Sequence, residues 1–372
     1  MITGWTGAPI EGLAAAAYRI PTDAPEADGT FHWNATVLVV VRIKASGSTG
    51  LGYTYADASA ARLARDQLGP AIEPLDSFDI PGARAAMQRQ VRNLGRSGVA
   101  ACAISAVDAA LWDLKAKLLG LPLVLLLGRV RDKVPIYGSG GFTSYSDERL
   151  KEQLSGWAKH DGCRFVKMKI GSEPARDPER ARAAKSAIGD AQLFVDANGA
   201  FSAKQALRFA EACRDLDIRW FEEPVTSDDP AGLRLVRERA PAQTDVAAGE
   251  YIFTLDDARS LLEAGAVDCL QADATRCGGV TGFLNVAALC EAHHIDLSGH
   301  CAPSLHRHVA CAAPRLRHLE WFHDHVRIER MLFDGAPVAE DGAIRPDLER
   351  PGHGLEFKAQ DAERFRIEGA LS

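Results

Sequence analysis

At 372 residues the chain exceeds the usual size of one domain, so two domains, or one large barrel with an accessory unit, is the starting expectation. A hydrophobic content of 47% leaves ample core, and a net charge of −7 with no basic block argues against nucleic acid as a partner. No run reaches the roughly 18 apolar residues of a membrane span, residues 1–17 lack the pattern of a signal peptide, and eight scattered cysteines without paired zinc-type spacing read as buried thiols, so a cytoplasmic protein is expected.

The N-terminal region reads as mixed α+β. Residues 13–20 and 36–44 have strand character, and Gly47-Ser48-Thr49-Gly50 turns the chain into a third strand at 51–55. Between the first two lies a polar loop, residues 21–29, followed by Phe31, His32 and Trp33, which is placed to cover a ligand site. Helical spacing follows at 58–68, 83–94 and 101–119; the last repeats Ile104, Val107, Leu111 and Leu114 and reads as a largely buried helix.

From Val134 the texture becomes a regular alternation of short apolar strands and amphipathic helices. Strands are expected at 134–137, 165–170, 193–196, 219–221, 244–248, 267–270, 295–298 and 318–321. Such repetition implies parallel pairing through right-handed crossovers, and eight strands point to a closed barrel. The alternative, a doubly wound open sheet, lacks a glycine-rich phosphate fingerprint after an early strand. In a barrel the chemistry sits where strands run into the following loops.

The second of these strands is unusual. Alternation puts Val166, Met168 and Ile170 on one face and Lys167 and Lys169 on the other, which is either a solvated basic edge or the wall of a polar cavity with acidic company. The remaining strand ends favour the cavity. The third ends in Asp196, the fourth in Glu222 and Glu223, the fifth in Glu250, the sixth in Asp273, the seventh in His300 and the eighth in Glu320. A carboxylate after a strand is often only a helix cap, but helix caps do not account for so many in phase around one rim.

Asp196, Glu222 and Glu250 offer hard oxygen ligands from adjacent strands, a set suited to Mg²⁺ rather than zinc. Lys167 and Lys169 stand to one side of that set, and His300 to the other, with Asp273 placed to accept the imidazole proton. Two bases flanking a metal suit removal of a proton next to a carboxylate through an enediolate, the arrangement of enolase-type sites.

These residues carry a resemblance. Ala103 through Lys115, Gly120-Leu121-Pro122, Gly128, Lys167-Met168-Lys169, Asp196-Ala197-Asn198, Glu222-Glu223-Pro224, Gly249-Glu250, the stretch from Asp273 to Gly282, and Ser298-Gly299-His300 resemble, in order and over nearly the whole chain, the enolase superfamily in its mandelate racemase subgroup. The resemblance implies an α/β fold: a modified TIM barrel, (β/α)7β, over residues 126–344, with an α+β capping domain at 1–125 completed by about 345–372. It implies one Mg²⁺ on Asp196, Glu222 and Glu250, Lys169 as base on one face, and Lys167 as the residue that helps hold Lys169 and the substrate carboxylate; as a neighbouring cation Lys167 also lowers the proton affinity of Lys169. It further implies a His300–Asp273 acid/base dyad on the other face, Glu320 hydrogen-bonded to a substrate carboxylate oxygen, and Asn198 as a contact near the metal. Arg276 stands where the subgroup commonly has lysine, which keeps the cation and changes its geometry.

The substrate this implies is a small carboxylate, foremost an acid sugar (aldonate or aldarate) dehydrated to a 2-keto-3-deoxy acid; racemisation, epimerisation or cycloisomerisation, and a non-catalytic metal-binding relative, are the alternatives. Asp23, Glu26, Asp28 and His32 of the covering loop, with Tyr53 and Tyr55, are polar enough for a polyol. His323-Asp324-His325 past the last strand holds either a second metal or structural histidines. A homo-oligomer with no membrane partner is expected.

Overall fold

The computed structural model describes residues 7–371. Three antiparallel strands, β1 (Gly12–Ala27), β2 (His32–Ala45) and β3 (Ser48–Tyr55), form a meander, and a C-terminal strand, Arg366–Ala370, pairs with the outer side of β1. The expected polar loop at 21–29 is therefore mostly strand: β1 runs on to Ala27, and Glu26 and Ala27 pair with Trp33 and His32 across a register shift. The physical reason is position. β1 meets the C-terminal strand only around Ala15–Tyr18, so farther along it is an edge, where Pro21 and Pro25 are tolerated.

Helical segments Ser59–Leu63, Ala64–Leu68 and Gly69–Ile72 follow one another, then Ile80–Gln90, whose first turn is fixed by Asp79 accepting from the Gly82 amide. Helix Val99–Leu118 is buried over nearly all its length. It lies directly on β3, and the close approach depends on glycine: a Cβ at Gly50 or Gly52 would stand 2.1 or 2.0 Å from the carbonyl oxygens of Ala110 or Ala106. Asp108 on its far side accepts from the Thr281 amide and hydroxyl, and Ser105 accepts from the Gly278 amide, so this helix clamps the loop that follows Asp273.

Eight parallel strands form the second unit: β4 (Val134–Gly140), β5 (Phe165–Lys169), β6 (Gln192–Asp196), β7 (Trp220–Glu222), β8 (Asp245–Ala248), β9 (Cys269–Ala272), β10 (Asp296–Gly299) and β11 (Leu316–Phe322). They pair in chain order, and β11 closes on β4 with Leu319 opposite Ile136, making the expected barrel. Each lies within a few residues of its expected place. Outward residues such as Val166, Met168, Val195 and Phe221 join the large core beneath the helices. Inward residues at the strand beginnings, Tyr137, Phe194, Trp220, Ala247 and Cys269, form a separate buried cluster that fills the barrel floor. Among the described residues no helix is long and apolar enough to cross a membrane.

Candidate active site

Two residues past the floor, the same inward parity delivers charge. Lys167 and Lys169 follow Phe165 on β5, Asp196 follows Phe194, Glu222 follows Trp220, and Glu320 follows His318. Lys167 is fully buried, with its ammonium 2.7 Å from both oxygens of Glu222, 2.8 Å from Glu320 Oε1 and 3.5 Å from Asp196 Oδ2. Lys169 donates to Asp196 Oδ2 at 2.6 Å, and Asp196 Oδ1 accepts from the Asn198 amide at 2.8 Å. A solvated basic edge is excluded.

Across the barrel, His300 Nδ1 stands 2.9 Å from Asp273 Oδ2, while its Nε2 lies 3.0 Å from Glu250 Oε2. Asp273 Oδ1 accepts from the Thr275 amide, and Arg276 donates to the Glu250 carbonyl at 3.0 Å, so the clamped loop fixes both the dyad and the fifth carboxylate-bearing turn. Glu320 Oε1 accepts from Ser139 Oγ at 2.5 Å as well as from Lys167, and its Oε2 accepts from the Cys301 amide at 3.2 Å. Four non-glycine residues at this rim adopt left-handed backbone: Asn198 (φ 45°), Glu223 (36°), Cys301 (53°) and Ala302 (40°).

The charges set one another's proton affinities. Burial would depress Lys167, but Glu222 and Glu320 outweigh it and hold its pKa well above the usual range. Lys169 is likewise raised: burial and Lys167 pull it down, and Asp196 at 2.6 Å more than offsets them. Lys167 thus acts on Lys169 in the expected direction, and the net rise comes from the close contact to Asp196, one of the carboxylates assigned to the metal. Burial, then Asp196, pushes Glu222 up to about 7. Burial with Glu250, Asp196 and Glu222 nearby raises Glu223 well above the carboxylate range. Burial opposes ionisation of Asp273 and Glu250, yet His300 holds both low. His300 itself is held well above its ordinary value, against burial, by Cys301, Glu320 and Asp273.

Asp196, Glu222 and Glu250 lie on consecutive strands, but each is closed onto a cationic or histidine partner, and their oxygens are not gathered into one group within 4.8 Å. The donor set nevertheless fits a hard divalent cation. Six buried carboxyl groups (Asp196, Glu222, Glu223, Glu250, Asp273, Glu320) face only Lys167, Lys169 and Arg276 as fixed cations, and Glu223 Oε1 and Asn198 Oδ1 are buried without a partner.

Above the charges lies a cavity of about 500 Å³ whose lining includes Lys169, Asn198, Glu250, Arg276, His300 and Glu320. Its roof is aromatic, with Phe31, Trp33, Tyr55, Tyr251 and Phe322. Two expected substrate contacts lie elsewhere. His32 is exposed and stacks on Phe31, because alternation along β2 turns Trp33 inward and His32 outward. Tyr53 is fully buried, its hydroxyl donating to Glu329 Oε1 at 2.7 Å and accepting from the Leu305 amide, so it ties β3 to the barrel, and Tyr55 reaches the cavity instead. Of the polar covering residues only Asp28 and Tyr55 line the cavity, and Asp28 is committed to the turn amides of Thr30 and Phe31. His323 pairs with Asp23 at 3.0 Å, and His325 stacks on Tyr55 and accepts from the Ala302 amide. Phe31 and Trp33 cover the cavity as expected of the aromatics after the loop; sequence reasoning missed Cys301, Ser139 and the Tyr251 and Phe322 part of the roof, Cys301 being visible only as the residue after His300.

The family comparisons agree with this geometry. Residues 149–362 match the model described as enolase C-terminal domain-like, and residues 20–128 match the mandelate racemase / muconate lactonizing enzyme N-terminal domain. The 3,6-anhydro-alpha-L-galactonate cycloisomerase of Streptomyces coelicolor is 34% identical over 96% of this chain and 99% of its own length. The L-talarate/galactarate dehydratase of Salmonella typhimurium is 30% identical over 96% of this chain and 91% of its own. A structure of that dehydratase liganded with Mg and L-lyxarohydroxamate superposes with a TM-score of 0.90, covering 100% of this chain and 96% of that one at 27% identity. The crystal structure of a mandelate racemase/muconate lactonizing enzyme-like protein from Rubrobacter xylanophilus superposes with a TM-score of 0.94 at 52% identity, covering 96% of this chain and all of that one. With both halves of the chain matched and the barrel and its rim in place, the protein belongs to the enolase superfamily, in its mandelate racemase subgroup.

Proposed function

We propose that this protein abstracts the α-proton of a sugar-acid carboxylate and expels the oxygen on the β-carbon, foremost as dehydration of an aldonate or aldarate to a 2-keto-3-deoxy acid. The observation that carries this reading is placement around the ring. Lys169 on β5 and the His300–Asp273 dyad at the ends of β10 and β9 face one cavity from separated strands, with the carboxylate strands β6, β7 and β8 between them. Asp196, Glu222 and Glu250 are the residues to hold Mg²⁺, which when bound supplies charge for the developing enediolate.

The chain's own groups then divide the work. Lys169, as the free amine, takes the α-proton at Nζ, and Lys167 and Ser139 fix Glu320 where a carboxylate oxygen of the substrate arrives. His300 Nε2 delivers a proton to the departing β-oxygen; C2–H and C3–O break, a C2–C3 double bond forms, and the enol becomes the 2-keto acid.

A second reading has its own support. Among the described residues the roof presents Phe31, Trp33 and Tyr55, which suits a ring face better than a second carboxylate, and the Streptomyces relative is a cycloisomerase of an anhydro sugar acid. There the β-oxygen would leave as a ring hydroxyl rather than as water, with the same bond changes at C2 and C3. The test is a screen of Mg²⁺-loaded protein against aldonates, aldarates and anhydro sugar acids in deuterated water. It scores α-keto product and exchange at the α-carbon; neither product nor exchange with any acid would sink the proposal. Chelation of the metal should abolish turnover.

A further inference from the structure

Cys301 stands beside both acid/base partners. Its Sγ is 3.4 Å from His300 Nε2 and 3.3 Å from Glu320 Oε2, and those two atoms are 3.6 Å apart. All three residues are buried, and all three line the cavity. The donors are aimed by a surrounding shell. Asp273 takes Nδ1 of His300 and leaves Nε2 toward the cavity, while Lys167 and Ser139 take Oε1 of Glu320 and leave Oε2 toward Cys301.

Those separations have a chemical meaning. A tetrahedral zinc ion with Zn–S of about 2.3 Å and Zn–N and Zn–O of about 2.0–2.1 Å sets its ligand atoms roughly 3.3–3.6 Å apart. Sulfur, imidazole nitrogen and one carboxylate oxygen thus already stand near three corners of such a tetrahedron, with the cavity at the fourth. A histidine whose second nitrogen is held by a carboxylate is the usual zinc ligand arrangement. The set is softer than the all-oxygen set of Asp196, Glu222 and Glu250, so two cations of different character can be sorted between them. Glu250 Oε2, 3.0 Å from His300 Nε2, is the group that contends for the same ring nitrogen.

We propose that His300, Cys301 and Glu320 form a second metal site, selective for Zn²⁺ over Mg²⁺, whose occupation inhibits the enzyme by capturing the ring nitrogen that handles the substrate's proton. On binding, the Sγ–H proton and the Nε2–H proton of the imidazolium both leave to solvent as the Zn–S and Zn–N bonds form, His300 keeps its Nδ1–H on Asp273, and Glu320 Oε2 exchanges the thiol for the ion. The inhibitory half rests on the proposed reaction; the binding half does not.

The test titrates the Mg²⁺-saturated protein with Co²⁺ as a spectroscopic stand-in for Zn²⁺, with no substrate present. A thiolate-to-cobalt charge-transfer band saturating at one Co²⁺ per chain and displaced by Zn²⁺ is expected, since the all-oxygen site contains no thiolate. Cys301→Ser, checked for an unchanged melting transition and retained Mg²⁺ binding, should lack the band. Asp273→Asn should keep it with affinity lowered about 10–100-fold. A wild-type protein without the band, or a band surviving in Cys301→Ser, overturns the proposal. Added Zn²⁺ should also compete with substrate in the Mg²⁺-supported reaction. A cobalt band in a protein that turns over no sugar acid would leave the metal site standing and remove the reaction; turnover without a band would do the reverse.

Discussion

The floor and the mouth of the barrel are built from the same strands two residues apart, yet they obey opposite rules. At the floor, Phe194 and Trp220 stack at 5.4 Å and Tyr137 packs against Phe194 at 5.5 Å; shape and apolar area hold that layer together. At the mouth, Asp196 and Glu222 continue those strands, and the layer is held by ion pairs whose desolvation roughly cancels their attraction. One layer supplies stability and the other concentrates charge, so damage to each should show in different measurements.

The largest expected effect belongs to the mouth. Lys169→Ala and His300→Asn should each lower turnover about 10²–10⁴-fold; Lys169→Ala should also abolish deuterium exchange at the α-carbon while His300→Asn retains it, and equal exchange in both variants would break the division between base and acid. Next comes the floor. Phe194→Ala should cost about 3–5 kcal/mol in denaturant unfolding with Mg²⁺ binding retained, whereas loss of Mg²⁺ binding in this floor variant would erase the contrast.

Two further predictions sharpen it on the capping side. Glu26 is fully buried, accepts from Trp33 Nε1 at 2.7 Å, and is pushed up to about 8 by burial and by Asp324 and Asp23. Its folded pKa lies above the ordinary 4.5, so the native state favours the protonated form and loses relative stability as pH rises from 4.5 through about 8. Glu26→Gln removes that loss: relative to the wild type it should gain about 4 kcal/mol between pH 5 and pH 9, and a flat difference across that range would show that Glu26 does not titrate there. Tyr53→Phe should cost about 1–2 kcal/mol by removing the shorter of the two tyrosine hydroxyl bonds to Glu329 and the acceptor of the Leu305 amide, with no change in KM, because Tyr53 joins units and does not touch the cavity.

The barrel and its charged rim were legible because they repeat: one strand, one helix, and from β5 to β11 one or more ionisable residues at each strand end, with inward parity kept except where Gly249 shifts Glu250. The capping hairpin was not, since prolines that break a central strand are harmless on an edge, and nothing in residues 21–29 reveals which they occupy. Assigning His32 rather than Trp33 to the cavity is an error of one residue, and in a strand one residue reverses the face. Cys301 was missed for a related reason: parity points the residue after His300 outward, and its left-handed turn brings Sγ back to within 3.4 Å of the ring. The raised proton affinity of Lys169 depends on a 2.6 Å contact to Asp196, a distance that no spacing rule supplies.

The left-handed residues at the rim have a further consequence for anyone seeking a sturdier version of this protein. Each such non-glycine position costs about 1–3 kcal/mol, and Asn198, Glu223, Cys301 and Ala302 all adjoin the groups assigned to metal and proton handling. Ala302→Gly would relieve that tension where a consensus search for heat tolerance looks first, yet it would free the turn that aims His300 and Cys301. At this rim, thermal robustness and catalytic aim are set against each other by the backbone itself.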